Sequence, residues 1–380
     1  MQRIRIVSAG IGAGHDGAAR ELARRLRRRG CAVRCHDYLT LLPGRLGQLV
    51  SRGYRYQLQV APRSYGWLLR VLGWRPAARL AAGLSALVGR RLARALGSEV
   101  DLVVSTHPAA SHCLAALRRR GRLTAPFVEY LTDPSVHRMA VTRRADLTIA
   151  PNKIAAEQAA RLGARRVEVA AQAIAPGFRP ARAQGERRRA RALFRLPHDQ
   201  RLALVLCGSW AVGAVEQIAR DVAASRAARP VVVCGHNEEL RRRLARAGHG
   251  DVFGWVDNMP ELMRACDVVV QNAGGLTAGE ALASGVPVIT YRCLPGHGRA
   301  NAAVLDRTGL VRWVRTPSTL AHALTSAFSV GGVVDGHGSA TTDPAELIQR
   351  LARSQPADRG GRGVRGRVRV GRARPPRVAR

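Results

Sequence analysis

Three short segments carry residue types that could do chemistry. The first is Gly10-Ile11-Gly12-Ala13-Gly14-His15-Asp16-Gly17. Glycines let a ligand approach the backbone, and the N–H groups of a following helix start attract anions. His15 stands at the mouth of that turn, and an ordinary imidazole can take a proton near neutral pH. The plainer alternative is a neighbour of a helix cap. The second segment is Cys207-Gly208-Ser209-Trp210-Ala211-Val212-Gly213, where Ser209 and the Gly208 backbone could bind a phosphate or simply form a tight turn. The third runs Gln271-Asn272-Ala273-Gly274-Gly275-Leu276-Thr277-Ala278-Gly279-Glu280. Its spacing predicts a strand end, a helix starting at Thr277, and Glu280 one turn in. That helix start could hold a diphosphate while the carboxylate accepts both hydroxyls of a ribose. The competing reading is a capping box between Thr277 and Glu280.

These segments need elements to hold them. Strands are predicted over Arg3–Ser8, Cys31–His36, Leu102–Ser105, Pro126–Leu131 and Leu147–Ala150, with a helix over Asp16–Arg29. A second alternating block gives strands over Leu202–Leu206, Pro230–Cys234, Asp251–Phe253, Val268–Gln271 and Pro287–Tyr291. Strands separated by helices imply parallel sheets. A dinucleotide site is the obvious competitor for the first turn, and Asp37 stands at the right distance, but no further dinucleotide feature follows. Residues 39–96 break the rhythm. They mix Tyr54, Tyr56, Tyr65, Trp67 and Trp74 with many Arg, and place Leu80, Leu84, Leu87 and Leu92 at helical spacing. Such a stretch can lie on an anionic membrane or form core-facing helices, since both give an amphipathic pattern.

The chain has 380 residues, enough for two domains, and 46% of them are apolar, which excludes a disordered polyelectrolyte. No uninterrupted apolar stretch is long enough to span a membrane, and the first residues read as a strand rather than a signal peptide. The formal net charge is +36, carried by 61 Arg and the single Lys153 against 26 acidic residues. That charge draws phosphates, nucleic acid or anionic lipid without specifying any chemistry. The tail 356–380 holds nine Arg and one Asp and is expected to be disordered. The seven Cys residues form no CxxC pair, so a zinc site is not expected.

Taken together, GGLTAGEALASGVPVI and the following LPGHGRANAAVL resemble the nucleotide-sugar end of a GT-B glycosyltransferase of family 28. The nearest branch is that of monogalactosyldiacylglycerol synthases and processive diacylglycerol glucosyltransferases. SAGIGAGHDGAARELARRL is similar to that branch's opening loop and helix, and YRYQLQVAPRSY to its membrane-side insertion. YLTDPSVHRMAV is similar to its TD-x-x-x-H motif, and VVVCGHNEELRRRL and GWVDNMPELMRACDVVV to its donor domain. The resemblance spans Arg3 to Leu324.

The resemblance implies an α/β protein of GT-B type, with two Rossmann-like domains facing across a cleft. Residues 1–172 would form an acceptor domain with a membrane-facing insertion at 39–96. Residues 173–330 would bind the UDP-sugar donor, followed by a C-terminal segment, 331–355, and the tail. Gly12 and Gly14 would face the donor diphosphate, and His15 is the candidate base, with Asp133 as its rival and His137 in the same motif. Gly208 and Ser209 would form a phosphate loop, and the Val256 backbone would read the uracil. Gly274, Gly275 and Thr277 would hold phosphate oxygens, and Glu280 the ribose. One departure stands out. The family carries Pro-Gly-Gln-Glu before a later Asn, whereas this chain has Pro295-Gly296-His297-Gly298 and then Asn301. His297 can replace one contact to the donor sugar and Gly298 none through a side chain, and Asn301 would be counted with the donor-binding residues. The implied activity is inverting, metal-independent hexosyl transfer from a UDP-sugar to a lipid such as diacylglycerol. It would need no cofactor and would take place on the cytoplasmic face of the cell membrane, with the protein held peripherally on an anionic surface. Alternatives are a transferase tailoring a soluble small molecule, a nucleotide-sugar epimerase, and a non-enzymatic polyanion binder. No specific nucleic-acid partner is expected, because the charge is spread along the chain and no RNA or DNA motif occurs.

Overall fold

The computed structural model describes residues 1–10, 13–60, 88–272, 274–329 and 342–354. Gly12, residues 61–87 of the basic aromatic segment, and the Arg-rich tail lie outside the described residues.

Two parallel sheets of six strands organise the chain. The first holds β1 (Arg3–Ser8), β2 (Ala32–Asp37), β3 (Leu102–Ser105), β4 (Phe127–Tyr130), β5 (Leu147–Ala150) and β6 (Val167–Val169), in the order β2-β1-β3-β4-β5-β6. The second holds β7 (Leu202–Leu206), β8 (Arg229–Val233), β9 (Asp251–Phe253), β10 (Val268–Gln271), β11 (Val288–Tyr291) and β12 (Val311–Val314), in the order β12-β11-β10-β7-β8-β9. Central strands such as LALVL are apolar throughout because helices cover both sheet faces, and every residue of β7 is buried. Separate apolar clusters fill the two sides of each sheet.

Each strand order reverses once, between β1 and β3 in the first sheet and between β7 and β10 in the second. At such a reversal the loops leaving the strands splay apart and open a crevice beyond their carboxyl ends. The chemistry-bearing segments found in the sequence are the loops after β1, β7 and β10, so the topology delivers all three to crevice positions.

The described parts of the basic aromatic segment behave in two ways. In helix 88–96, Val88, Leu92 and Leu96 are buried in the core of the first sheet. Helix Leu46–Val60 instead leaves Leu49, Val50 and Tyr56 exposed, at 60%, 40% and 67%. Among the described residues no helix is long and apolar enough to cross a membrane. The last described helix, Pro344–Arg353, returns to the first sheet. It sinks Ala345, Leu347, Ile348 and Ala352 among Ile4, Leu22 and Leu26, and Asp343 pairs with Arg25 and Arg29 at 3.2 and 3.1 Å.

Candidate active site

The two sheets face one another across a cavity of about 1590 Å³. Every predicted site residue among the described ones lines it. The two halves meet closely at its floor. A Cβ added at Gly275 would stand 2.7 Å from Pro134 and 2.8 Å from the Thr132 carbonyl oxygen, and one at Gly17 would stand 2.9 Å from Leu276.

On the first-sheet side, the loop after β1 is anchored by Asp37. Its Oδ1 accepts the N–H groups of Gly10 at 3.1 Å and Leu39 at 2.9 Å. The carboxylate that a dinucleotide site would turn to a ribose is therefore spent on the loop itself. Helix Ala13–Arg28 begins next, with Asp16 in its first turn accepting the Ser8 hydroxyl. His15 Nδ1 lies 2.6 Å from the Thr106 carbonyl oxygen and 3.1 Å from the Thr132 hydroxyl. A carbonyl oxygen can only accept, so Nδ1 carries the proton and the lone pair of the neutral ring sits on Nε2. That is the tautomer a general base requires.

Asp133 follows β4 in a loop gripped from both halves. Its Oδ2 is 3.3 Å from His297 Nε2, off the line of a straight hydrogen bond, and its Oδ1 is 3.4 Å from Asn301 Nδ2. Burial works against the charged carboxylate. The contact with His297 and the potential of His297, His15 and His137 outweigh it and hold Asp133 down at about 2. His137 stacks edge-on against His297 with ring centres 4.9 Å apart, and burial together with His297 lowers its pKa to about 4. Its Nδ1 is buried without a hydrogen-bond partner.

The second-sheet side supplies two helix starts and a tight loop. After β7, Gly208 adopts φ +74°, and Gly235 approaches so near that a Cβ there would stand 2.1 Å from the Ser209 carbonyl oxygen. The loop is closed by Asn272, whose Nδ2 donates to the Val212 carbonyl at 2.6 Å. Trp255 stacks on His236 at 4.1 Å, and its indole N–H donates to Asp257 at 2.8 Å. This fixes the turn that carries Val256 into the cavity wall. After β10, the helix spans Gly275–Ala283, with Gly274 as its cap. It thus starts two residues before Thr277. Thr277 lies inside the first turn and makes no side-chain cap, so the capping-box reading of Thr277 and Glu280 fails. Glu280 faces the cavity, and burial, with no compensating partner, raises its carboxyl to about 7. His297 opens helix His297–Arg307 behind Gly296, and Asn301 follows one turn later. A Cβ at Gly298 would lie 2.9 Å from the Leu294 Cβ, so a side chain there would force Leu294 to shift.

His107 and Glu129, neither among the predicted residues, also line the cavity. His107 caps helix Pro108–Arg119 by accepting the Ala109 N–H at 3.2 Å, and its ring meets His15 edge-on at 4.7 Å. Burial, aided by His15, lowers it to about 3 and keeps it neutral. The strand–His–Pro order in Ser105-Thr106-His107-Pro108 was the available signal, since Pro favours the first helical position. Glu129, buried beneath the cavity, accepts the Thr142 N–H and the Thr148 hydroxyl, yet burial still raises it to about 7. Among the described residues no three His, Cys, Asp or Glu side chains gather as metal ligands would.

Residues 15–174 match a family model described as monogalactosyldiacylglycerol (MGDG) synthase, and residues 204–329 match one described as glycosyl transferases group 1. A processive diacylglycerol beta-glucosyltransferase of Bacillus mycoides is 28% identical over 228 residues, and one of Bacillus thuringiensis 27% over 228 residues. The match covers 57% of this chain and 57% of each relative's length. Among solved structures, Acinetobacter baumannii MurG superposes with a TM-score of 0.54 at 17% identity, covering 92% of this chain and 100% of MurG. Anabaena HepE in complex with UDP gives 0.52 at 17% identity, covering 93% and 94%. The chain is a GT-B protein that resembles the monogalactosyldiacylglycerol synthase and processive diacylglycerol glucosyltransferase branch of glycosyltransferase family 28.

Proposed function

We propose that the protein is an inverting, metal-independent glycosyltransferase that moves a hexosyl group from a UDP-sugar to a hydroxyl of a lipid acceptor such as diacylglycerol. The observation that carries this reading is a juxtaposition across one cavity. His15 presents its Nε2 lone pair from one half, and the helix start at Gly275 with the unpaired Glu280 carboxyl faces it from the other. The N–H groups at that helix start suit the diphosphate, and Glu280 suits the ribose hydroxyls. Gly208, Ser209 and the Val256 backbone complete the nucleotide end. The acceptor oxygen attacks the anomeric carbon as His15 Nε2 takes its proton. The bond to the diphosphate breaks in the same displacement, and UDP leaves with its charge stabilised by the helix start rather than by a cation. A single displacement inverts the anomeric configuration. Asp133, His137 and His297 line the space left for the sugar.

The lipid acceptor is supported by the first-sheet wall. Leu39, Leu42, Leu46 and Val50 continue the cavity outward to the helix that exposes Leu49 and Tyr56. Exposed apolar side chains beside Arg45 and Arg52 suit an anionic membrane surface. In this reading the protein binds that surface peripherally, on the cytoplasmic face. The test is a donor-by-acceptor screen. UDP-glucose and UDP-galactose are offered with dioleoylglycerol in mixed micelles, and UDP release and glycolipid product are followed together. Acceptor-dependent UDP release with a matching glycolipid is expected. Hexosyl transfer only to soluble acceptors added to the same screen, or no UDP release with any pair, overturns the reading.

A further inference from the structure

His297 and Asn301, one turn apart on helix His297–Arg307, line the cavity and also hold the Asp133–Ser135 loop of the first half. Asn301 is 3% exposed, and its Oδ1 accepts both the N–H and the hydroxyl of Ser135, at 3.2 and 2.5 Å. Because Ser135 N–H can only donate, the amide is oriented with Nδ2 toward Asp133 Oδ1. His297, four residues earlier on the same helical face, meets the other oxygen of Asp133. The loop they hold is short, and its opposite side is pinned to the first half. Asn152 Nδ2 donates to the Pro134 carbonyl at 3.0 Å, and the Val136 N–H donates to Gln158 Oε1 at 2.8 Å. The residue that opens this loop is Thr132, whose hydroxyl is 3.1 Å from His15 Nδ1.

We infer that Asn301 is a positioning residue: from the donor half it sets the Thr132–Ser135 loop, and through the Thr132 hydroxyl it sets the ring orientation of His15. The inference rests on the reading of His15 as the base. It also gives the cleft a physical means of coupling. The base is fully oriented only while the helix that follows the donor-side Pro295-Gly296 turn is seated against the first half. The two sides then contribute to one catalytic geometry. A loop shifted by about an ångström is enough to cost roughly 10–100-fold in turnover when a reacting group moves with it.

The test uses the full chain and two readouts. ¹⁵N-histidine NMR follows the His15 ring, with its signals assigned by their loss in His15→Gln. The parent should show the Nδ1-protonated tautomer alone. Asn301→Ala should keep that tautomer, which the Thr106 carbonyl fixes, but move the His15 ring signals as the Thr132 contact is lost, and the milder Ser135→Ala should move them part of the way in the same direction. In the transfer assay, Asn301→Ala should lower kcat by roughly 10–100-fold while UDP affinity by calorimetry stays within the parent's error. The losses from Asn301→Ala and Thr132→Val should be less than multiplicative when combined, as for residues acting through one path. Unchanged His15 signals in folded Asn301→Ala and Ser135→Ala, or a loss of UDP affinity that accounts for the lost turnover, overturn the inference. The NMR arm needs no substrate. Moved His15 signals without transfer to any acceptor would therefore uphold the positioning role while sinking the proposed activity.

Discussion

His15 Nδ1 lies 2.6 Å from the carbonyl oxygen of Thr106, a partner that can only accept. The proton is thus fixed on the inner nitrogen, and the base position is on the outer one. Asp133, the rival, is paired with His297 and held at about 2, so its conjugate acid is too strong for it to draw a proton from an alcohol near neutral pH. His15→Ala should lower turnover by roughly 10²–10⁴-fold, the usual share of a positioned base, with UDP affinity little changed. Asp133→Asn should lower it less. Turnover and UDP calorimetry on both variants check this, and the reverse ranking transfers the role to Asp133.

Glu280 offers a prediction with a pH sign. Burial raises its carboxyl to about 7, so without ligand a large fraction is protonated at neutral pH. A carboxylate accepts both ribose hydroxyls, whereas the protonated acid gives up part of that capacity. Binding UDP should therefore pull the proton off, and affinity should rise from pH 6 to pH 8. The UDP phosphate titrates in the same range, so the comparison is with Glu280→Gln. The parent should release more protons on binding, read from the buffer dependence of the binding enthalpy. Glu280→Ala should cost about 1.5–3 kcal/mol in UDP binding, the range for hydrogen bonds to a charged group. Linkage gives a second check. A carboxyl raised on folding stabilises the protein fully below its unfolded pKa. That stability is lost as pH rises through about 7, and Glu280→Gln should flatten the loss.

The exposed face of helix Leu46–Val60 carries the membrane reading. Leu49 is 60% exposed and Tyr56 67%, and neither lines the cavity. Placing two such side chains in an interface is worth about 1–3 kcal/mol in total, from the apolar area they remove from water. Leu49→Ser combined with Tyr56→Ser should weaken sedimentation with anionic vesicles by roughly 10-fold. Turnover on a detergent-dispersed acceptor should be kept. Equal sedimentation of parent and variant would remove this helix from the membrane contact.

Much of this arrangement was legible in local sequence, and what was not has a physical reason. Strands such as Arg3–Ser8, Leu102–Ser105 and Leu202–Leu206 fall where their β-branched and apolar runs predict. The strands missed are β6, Val167–Val169, and β12, Val311–Val314, both at sheet edges. Each places a charged residue, Glu168 or Arg312, where a central strand would carry an apolar one, as edges do. The three glycine-rich turns were readable because strand, glycine and helix lie adjacent in sequence. The supports of His15 were not. Thr106, His107 and Thr132 reach it from other strands, and Asn301 reaches the Thr132 loop from the other half. No local pattern encodes such contacts. The same is true of Gly275, which read as a phosphate-loop glycine but also stands where the two halves touch.

Gly275 gives the sharpest test of that contact. It opens a helix, where alanine is the better helix former by about 1 kcal/mol, so Gly275→Ala should not weaken the helix. The added methyl would instead stand 2.7 Å from Pro134 Cδ and 2.8 Å from the Thr132 carbonyl oxygen. These are a rigid ring and a backbone atom, and neither can swing aside, so the two halves must separate locally. Separation would loosen the pairing of Asp133 with His297 and displace the loop that touches His15. Gly275→Ala should therefore unfold at the parent's temperature yet lose about 10²-fold in turnover, the cost of misplacing reacting groups by about an ångström. Gly17→Ala meets only the flexible end of Leu276, at 2.9 Å, and should leave turnover within a few-fold of the parent. Thermal unfolding and turnover of the two variants side by side decide the matter. If both retain parent activity, close approach of the halves at this point is not required for catalysis.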